Sequence, residues 1–142
     1  MFSTSAMALL LDITREQKMS GTATNFGDYE AITKVVQHYL DGAKSGKGSD
    51  MKPAFHKDAT IFGYVGSDLF AGPIQGLFDW NDSNGAATGI QARFSEIDIV
   101  GTIANVRLEI DNWKGSRFTD MFTLLKTDGK WQIMNKVFHL HS

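Results

Sequence analysis

The chain has no cysteine and no cluster of basic residues. Without cysteine it can form no disulfide framework, no thiolate nucleophile and no zinc site with cysteine ligands. Its 14 basic and 16 acidic side chains give a net charge of −2 and are scattered along the chain. A nucleic-acid-binding protein needs clustered lysine and arginine to displace counterions from phosphates. We therefore expect no nucleic-acid partner.

Long apolar runs are also missing. The most apolar stretch, Ala6–Leu11, has six residues, whereas a helix that spans a membrane needs roughly 20. No basic residue precedes this stretch and no small-x-small cleavage site follows it closely, so it is a poor match to a secretory signal. We expect a cytoplasmic protein with no membrane partner. Residues 1–24 are predicted to form an extension, either a loosely docked tail or a short helix near residues 6–17.

Helices are predicted in the first half of the chain. Between residues 28 and 43, Tyr29, Ile32, Val36 and Tyr39 recur at steps of three and four, which places them on one helical face. A short helix is predicted from Ser49 or Asp50 to about Phe55. A strand over 59–65 and a shorter one over 69–72 then precede a third helix, which Pro73 would begin and residues 81–85 would end.

Strands and turns alone are predicted from Thr88 onwards. Apolar residues alternate up to Phe94 and then slip by one position, which predicts a β-bulge near Ser95 and Glu96. The segment 117–141 is predicted to form a closing hairpin with a three-residue loop, Thr127–Gly129. Helices followed by a long antiparallel meander indicate an α+β fold. We expect one domain over residues 25–142.

The closing hairpin carries an unusual polar pair. If Lys126 pairs with Lys130 across the loop, Asp120 lies opposite Lys136 on one strand face. Five apolar side chains would share that face with the pair, namely Phe118, Phe122, Leu124, Met134 and Phe138. Five more would lie on the other face, namely Met121, Leu125, Trp131, Ile133 and Val137. A sheet that is apolar on both faces needs two covers. The helices can supply one, and either a second copy of the chain or residues 1–24 can supply the other.

Two interpretations of Asp120 and Lys136 remain open. In the first, they form a buried or rim salt bridge that fixes the strand register, because two buried charges are tolerable only as a pair. In the second, they are the polar group at the floor of an apolar cavity, which is the usual form of a ligand site.

Several segments resemble the nuclear-transport-factor-2-like superfamily, and within it the group described as putative lumazine-binding or polyketide-cyclase-like proteins. The resemblance covers about residues 28–141. The segments are Tyr39-Leu40-Asp41-Gly42, Phe55-His56-Lys57-Asp58-Ala59, Leu124-Leu125-Lys126 and Gly129-Lys130-Trp131-Gln132-Ile133-Met134-Asn135-Lys136-Val137-Phe138. It implies a cystatin-like fold in which a cone-shaped, curved antiparallel sheet wraps around the N-terminal helices. It also implies a pocket in the cone and, commonly, a homodimer, here through the outer sheet face.

The same resemblance suggests candidate site residues. The superfamily includes ketosteroid isomerases, polyketide cyclases, dehydratases and members without catalysis. Asp120 is the candidate base and Tyr39 the candidate hydroxyl donor, although Tyr39 is equally explained as a core aromatic and pairing with Lys136 would weaken Asp120 as a base. The candidate pocket residues are Lys136, Phe118, Phe122, Met134, Phe138, Tyr64 and Trp80.

Three functions follow as alternatives. The chain could bind a small apolar or aromatic molecule without changing it, could be a cofactor-free isomerase, dehydratase or cyclase, or could be a scaffold with a filled cone. His139 and His141 face the same way in the last strand, but no third ligand can be identified. We therefore predict no metal and no cofactor, and we rank binding first and catalysis second.

Overall fold

The computed structural model describes residues 26–142. The extension predicted for residues 1–24 lies outside these described residues. Within residues 26–142, no helix is both long enough and apolar enough to cross a membrane.

The helices match the sequence pattern closely. Helix α1 covers residues 26–45. On its predicted apolar face Ile32, Val36 and Tyr39 are fully buried, whereas Tyr29, in the first turn, is 43% exposed. It ends at Gly46, whose φ of 77° suits glycine because it has no Cβ to clash. The predicted second helix is an α-helix, α2 (Gly48–Met51), continued by a 3₁₀ turn (Lys52–Ala54). Helix α3 (Gln75–Asn84) begins later than predicted, since Pro73 ends a strand.

Six strands form one sheet with the order β2-β1-β6-β5-β4-β3. Their bounds are β1 (Phe55–Val65), β2 (Asp68–Pro73), β3 (Gln91–Val100), β4 (Ile103–Trp113), β5 (Ser116–Thr127) and β6 (Lys130–Leu140). Strands β1 and β6 are parallel, and all other neighbours are antiparallel. The sheet is therefore mixed, which corrects the expectation of an antiparallel sheet. The alternation of polar and apolar residues shows which face of a strand is buried, but it does not show whether the neighbouring strand runs parallel or antiparallel.

The bulge predicted in β3 is confirmed. Phe94 pairs with Leu108 and Glu96 with Arg107, so Ser95 is the extra residue. Because of this extra residue, the inward-facing side chains are at even-numbered positions before the bulge, such as Phe94, and at odd-numbered positions after it, such as Ile97. The slip in apolar alternation indicated this change.

The predicted register of the closing hairpin is wrong in two respects. Thr127 pairs with Lys130, so the loop has two residues, and Asp128 (φ 52°) and Gly129 (φ 76°) both take the left-handed conformation of a type I′ turn. The pairing also shifts by one residue between Thr123 and Leu124, because β6 bulges at Met134. Asp120 consequently pairs with Phe138, and Phe122 pairs with Lys136.

The second bulge changes which side chains share a face. Trp131 and Ile133 are buried together with Asp120 and Lys136, although the predicted register placed them on the opposite side. We call this buried side the inner face. It packs on α1, where the rings of Tyr39 and Phe122 meet edge to face with centroids 5.4 Å apart.

Candidate functional site

Tyr39 and Asp120 form the innermost polar contact of the site. The helix face described above directs Tyr39 towards the sheet, and the alternation of β5 directs Asp120 towards the helix. The Tyr39 hydroxyl donates a 2.7 Å hydrogen bond to Asp120 Oδ2. Neither residue is accessible to solvent, so this bond lies in a medium of low dielectric constant.

Lys136 brings an amine to the same place from β6. Its Nζ lies 3.8 Å from Asp120 Oδ1, which is longer than a normal N–H···O hydrogen bond. Asp120 Oδ1 has no hydrogen-bond partner among the described residues. The amine also lies 4.9 Å from the ring centre of Phe138, 5.1 Å from that of Tyr39 and 5.8 Å from that of Trp113. Lys136 thus ends in a cage of aromatic rings with one carboxyl group beside it.

Burial displaces the pKa of each member of this cluster. It raises the pKa of the Asp120 carboxyl, with a smaller contribution from Glu109, and Lys136 and the Tyr39 hydroxyl oppose the rise without cancelling it. It lowers the pKa of the Lys136 amine against the attraction of Asp120. The pKa of Tyr39 is held well above 10.0 by burial and then by Asp120. All three shifts favour the uncharged forms, because charge is poorly solvated there.

A cavity of about 320 Å³ opens beside Lys136. Its walls are mostly apolar, and its aromatic members are Phe70, Trp80, Trp113, Phe118 and Phe138. Polar groups cluster around Asn84, Lys114 and Ser116, where α3 ends near the β4–β5 turn. The Lys114 ammonium donates a hydrogen bond to the Asn84 carbonyl oxygen. This bond connects the two elements that border the cavity.

The residues proposed from sequence fall into two groups. Four of the seven proposed pocket residues line this cavity: Lys136, Phe118, Phe138 and Trp80. The other three lie elsewhere. Phe122 is buried against Tyr39, Met134 is half-buried at the bulge, and Tyr64 is 61% exposed. Tyr39 and Asp120 are not cavity-lining residues, and Lys136 is their neighbour that does reach the wall.

Trp113 is one of nine cavity-lining residues that sequence reasoning missed. It is the last residue of β4, between Asn112 and Lys114, which both have positive φ, and it is only 5% exposed. Its ring packs edge to face on Tyr39, Trp80 and Phe118. Its indole N–H has no acceptor among the described residues. A tryptophan among polar residues next to a turn was the available signal, because so large an apolar surface is rarely left in water.

His139, in β6, and His141, just after β6, lie next to each other. The rings of His139 and His141 are 4.8 Å apart. Thr119 donates its hydroxyl proton to Glu109 at 2.7 Å, so the 2.8 Å contact between Thr119 and His141 Nε2 requires the histidine to donate. That nitrogen is therefore committed to Thr119. Within residues 26–142, no three acidic or histidine side chains are grouped so as to hold a metal ion.

Comparison with protein families gives one match that covers most of the chain. The model described as "Putative lumazine-binding" matches residues 27–139. This span includes all of α1 except its first described residue, the whole cavity wall except Leu140, and all three members of the buried cluster.

Known relatives cover the same region. "Aldolase FrzH" from Cladobotryum sp. is 34% identical over 113 residues, 79% of this chain and 90% of the relative. A crystal structure of a nuclear-transport-factor-2-like protein of unknown function from Methylobacillus flagellatus KT is 56% identical, with a TM-score of 0.80. That match covers 82% of this chain and 94% of the other. A similar protein from Shewanella baltica OS155 is 44% identical over 82% of this chain and 96% of its own, with a TM-score of 0.78.

Proposed function

The chain belongs to the family described as "Putative lumazine-binding", its fold is nuclear-transport-factor-2-like, and we propose that it binds a small apolar or aromatic molecule in the cavity beside Lys136. The observation that carries this proposal is the cavity itself. Its volume of about 320 Å³ lies in the range of ligand pockets, which combine mostly apolar walls with a few polar groups.

The chemistry of the walls defines the kind of ligand. Rings from Trp80, Trp113 and Phe118 offer edges and faces to a flat apolar molecule. The amine of Lys136 favours a polar acceptor at the buried end of the ligand. Ser116 and Lys114 can hydrogen-bond a second polar group nearer the β4–β5 turn. The ligand is therefore an aromatic or polycyclic body with a polar atom at one end.

Ligand screening with a cavity-filling variant tests this proposal. We expect steroids, polyketide-like aromatics or flavins to raise the melting temperature of the wild-type chain. Ser116→Trp would place an indole in the cavity and abolish that shift. The matched control is Arg117→Trp, since Arg117 is exposed and adjacent in the strand, so its side chain points the other way. If both variants respond to ligand as the wild type does, the cavity is not the binding site.

Catalysis without a cofactor is the second candidate function. It is supported by the buried cluster of Tyr39, Asp120 and Lys136 and by the aldolase name of one relative. Oδ2 of Asp120 already accepts a hydrogen bond from Tyr39 and Asp120 does not line the cavity, so Asp120 could act as a base only through Oδ1, beside the Lys136 amine. Exchange of deuterium from solvent into the α-carbon of a bound ketone would reveal this activity, and Asp120→Asn should abolish it.

We also propose that a second copy of the chain covers the outer face of the sheet. Three half-exposed apolar side chains lie in one row across β1, β6 and β5: Phe62 at 40%, Val137 at 46% and Met121 at 55%. A two-fold dimer would bury the row of each copy against that of the other. The alternative cover, residues 1–24, would leave the chain monomeric.

A further inference from the structure

Lys136 combines burial with access to the cavity. Its relative exposure is 3%, yet it belongs to the cavity wall. Its amine therefore meets molecules that enter the cavity and is shielded from bulk water on its other sides. Lys114, the other lysine of the wall, is exposed to solvent and bonded to Asn84.

We propose that Lys136 captures a small aromatic or apolar aldehyde or ketone in this cavity as a covalent imine. The inference rests on the proposed binding function and specifies its ligand class. It assigns to Lys136 the role of nucleophile, and to Asp120 that of its proton partner, where the sequence had suggested an aspartate base with a tyrosine donor.

The surroundings of the amine favour its reactive form. Only an unprotonated amine attacks a carbonyl carbon, and surface lysines are almost wholly protonated near neutral pH. Burial among Phe138, Tyr39 and Trp113 removes Nζ from water, which disfavours the ammonium, and the pKa of Lys136 is accordingly lowered. Asp120 at 3.8 Å is too distant for a normal hydrogen bond, so the nitrogen lone pair can be directed elsewhere.

Asp120 supplies the proton that imine formation requires. The neutral amine attacks the carbonyl carbon, a carbon–nitrogen bond forms, and one amine proton moves to the oxygen to give a carbinolamine. The Asp120 carboxyl, whose pKa is raised, then gives its proton to that hydroxyl group. The carbon–oxygen bond breaks, water leaves, and a protonated imine remains beside the Asp120 carboxylate. Tyr39 holds Oδ2 in place, and the oxygen closer to the amine, Oδ1, has no other partner among the described residues.

The cavity walls help to retain the product. The departing water leaves a compartment with mostly apolar walls, so the reverse reaction, hydrolysis, lacks water at the imine carbon. Trp80, Phe118 and Phe138 would hold the body of the carbonyl compound while its reactive carbon meets Nζ. The positive charge of the protonated imine lies beside the Asp120 carboxylate and among the same rings.

Reductive trapping tests the inference directly. The full chain is incubated near neutral pH with 2-naphthaldehyde and sodium cyanoborohydride, which reduces the imine to a stable secondary amine. We expect intact-mass spectrometry to show one adduct and peptide mapping to place it on Lys136. The lowered pKa of Lys136 raises the fraction of its amine that is unprotonated near neutral pH. Labelling of Lys136 should therefore exceed that of every other lysine.

Two variants sharpen the result. Lys136→Met should abolish the rapid adduct, whereas Lys130→Met, which removes an exposed lysine from the same strand, should leave it unchanged. If Lys136→Met does not fold, peptide mapping of the wild-type chain still decides the question. An adduct spread evenly over surface lysines would overturn the inference.

A ligand without a carbonyl group separates the two proposals. 2-Naphthalenemethanol has the same aromatic body as the aldehyde but cannot form an imine. If the alcohol raises the melting temperature and the aldehyde gives no adduct on Lys136, binding stands and imine formation is wrong. If neither compound binds or reacts, the proposed binding function fails and the inference fails with it.

Discussion

Tyr39 and Asp120 are 81 residues apart in the chain and are joined by a 2.7 Å hydrogen bond that solvent does not reach. This bond links α1 to β5 at the centre of the molecule. A helix and a strand that meet through a buried polar bond must keep one relative position, because any slip would leave both groups unpaired.

Removing the Tyr39 hydroxyl should therefore destabilise the fold. Tyr39→Phe leaves Asp120 Oδ2 without its donor, and we expect the free energy of unfolding to fall by about 1–3 kcal/mol. Denaturant titration measures the change. Tyr29→Phe is the matched control, because the Tyr29 hydroxyl makes an exposed 3.3 Å bond to the Ile97 carbonyl, and its loss should cost less than about 0.5 kcal/mol. Equal losses in the two variants would contradict a special role for the buried bond.

The pair of Asp120 and Lys136 should reveal itself in the pH dependence of stability. The pKa of Asp120 is raised in the folded chain, so the folded state binds more protons above about pH 4 and stability falls as pH rises through this window. The pKa of Lys136 is lowered, so the unfolded state binds more protons below 10.5 and stability rises with pH there. In the wild-type chain the two trends oppose each other.

Lys136→Met should expose the Asp120 trend alone. The variant also removes the attraction that lowers the pKa of Asp120, so the carboxyl titrates at a still higher pH. We expect the urea midpoint of Lys136→Met to decrease from about pH 4 to pH 8 relative to that of the wild type. The double variant Lys136→Met/Asp120→Asn should lack this decrease. A decrease that persists in the double variant would assign it to other groups.

Gly63 controls the position of a cavity wall. A Cβ atom added there would lie 2.5 Å from the Phe138 ring, so Gly63→Ala must displace a ring that lines the cavity. We expect a loss of about 1–3 kcal/mol in stability and weaker ligand binding, measured by denaturation and by thermal shift. Gly76→Ala is the control, since its Cβ would meet Phe70 at an ordinary 3.5 Å and alanine favours a helix. Wild-type behaviour of Gly63→Ala would show that the ring moves at no cost.

The proposed dimer can be tested on its apolar row. Met121→Lys places a charge at the β5 end of the row, and we expect light scattering after size exclusion to show a dimer for the wild-type chain and a monomer for the variant. Val100→Lys is the control, because Val100 is equally apolar and 65% exposed but lies at the β3–β4 turn. A wild-type chain that is monomeric at micromolar concentration would refute the dimer.

The sequence predicted well those features that depend on a single periodic pattern. The buried face of α1 and the bulge at Ser95 both follow from the spacing of apolar residues. The second bulge was missed because Lys136 is buried and Met134 is only half-buried. The order of polar and apolar residues in β6 therefore does not show which of its side chains face inward. Asp120 and Lys136 nevertheless share the inner face, since two register errors, one at the loop and one at the bulge, offset each other.

The position of the cavity could not be predicted in this way. It depends on Trp113, which turns inward because two neighbours adopt positive φ, and on the approach of α3 to the β4–β5 turn. Neither is encoded in a repeat of two or of 3.6 residues. Phe118, Lys136 and Phe138, at regular positions in β5 and β6, were foreseeable, whereas Trp113, which follows the register irregularity at the end of β4, was not.

The place of β6 between β1 and β5 has a consequence for biosynthesis. As the chain leaves the ribosome, the β1–β2 hairpin and the β3–β4–β5 meander emerge as separate sheets, and only β6, made after both, joins them. Until then each nascent sheet has an unpaired edge, and the apolar side chains that β6 would cover remain open to chaperones or to aggregation. Because the joining contacts are distant in sequence, we expect this closure to be the slow step of folding. The reactive lysine would then arrive with the strand that completes the sheet.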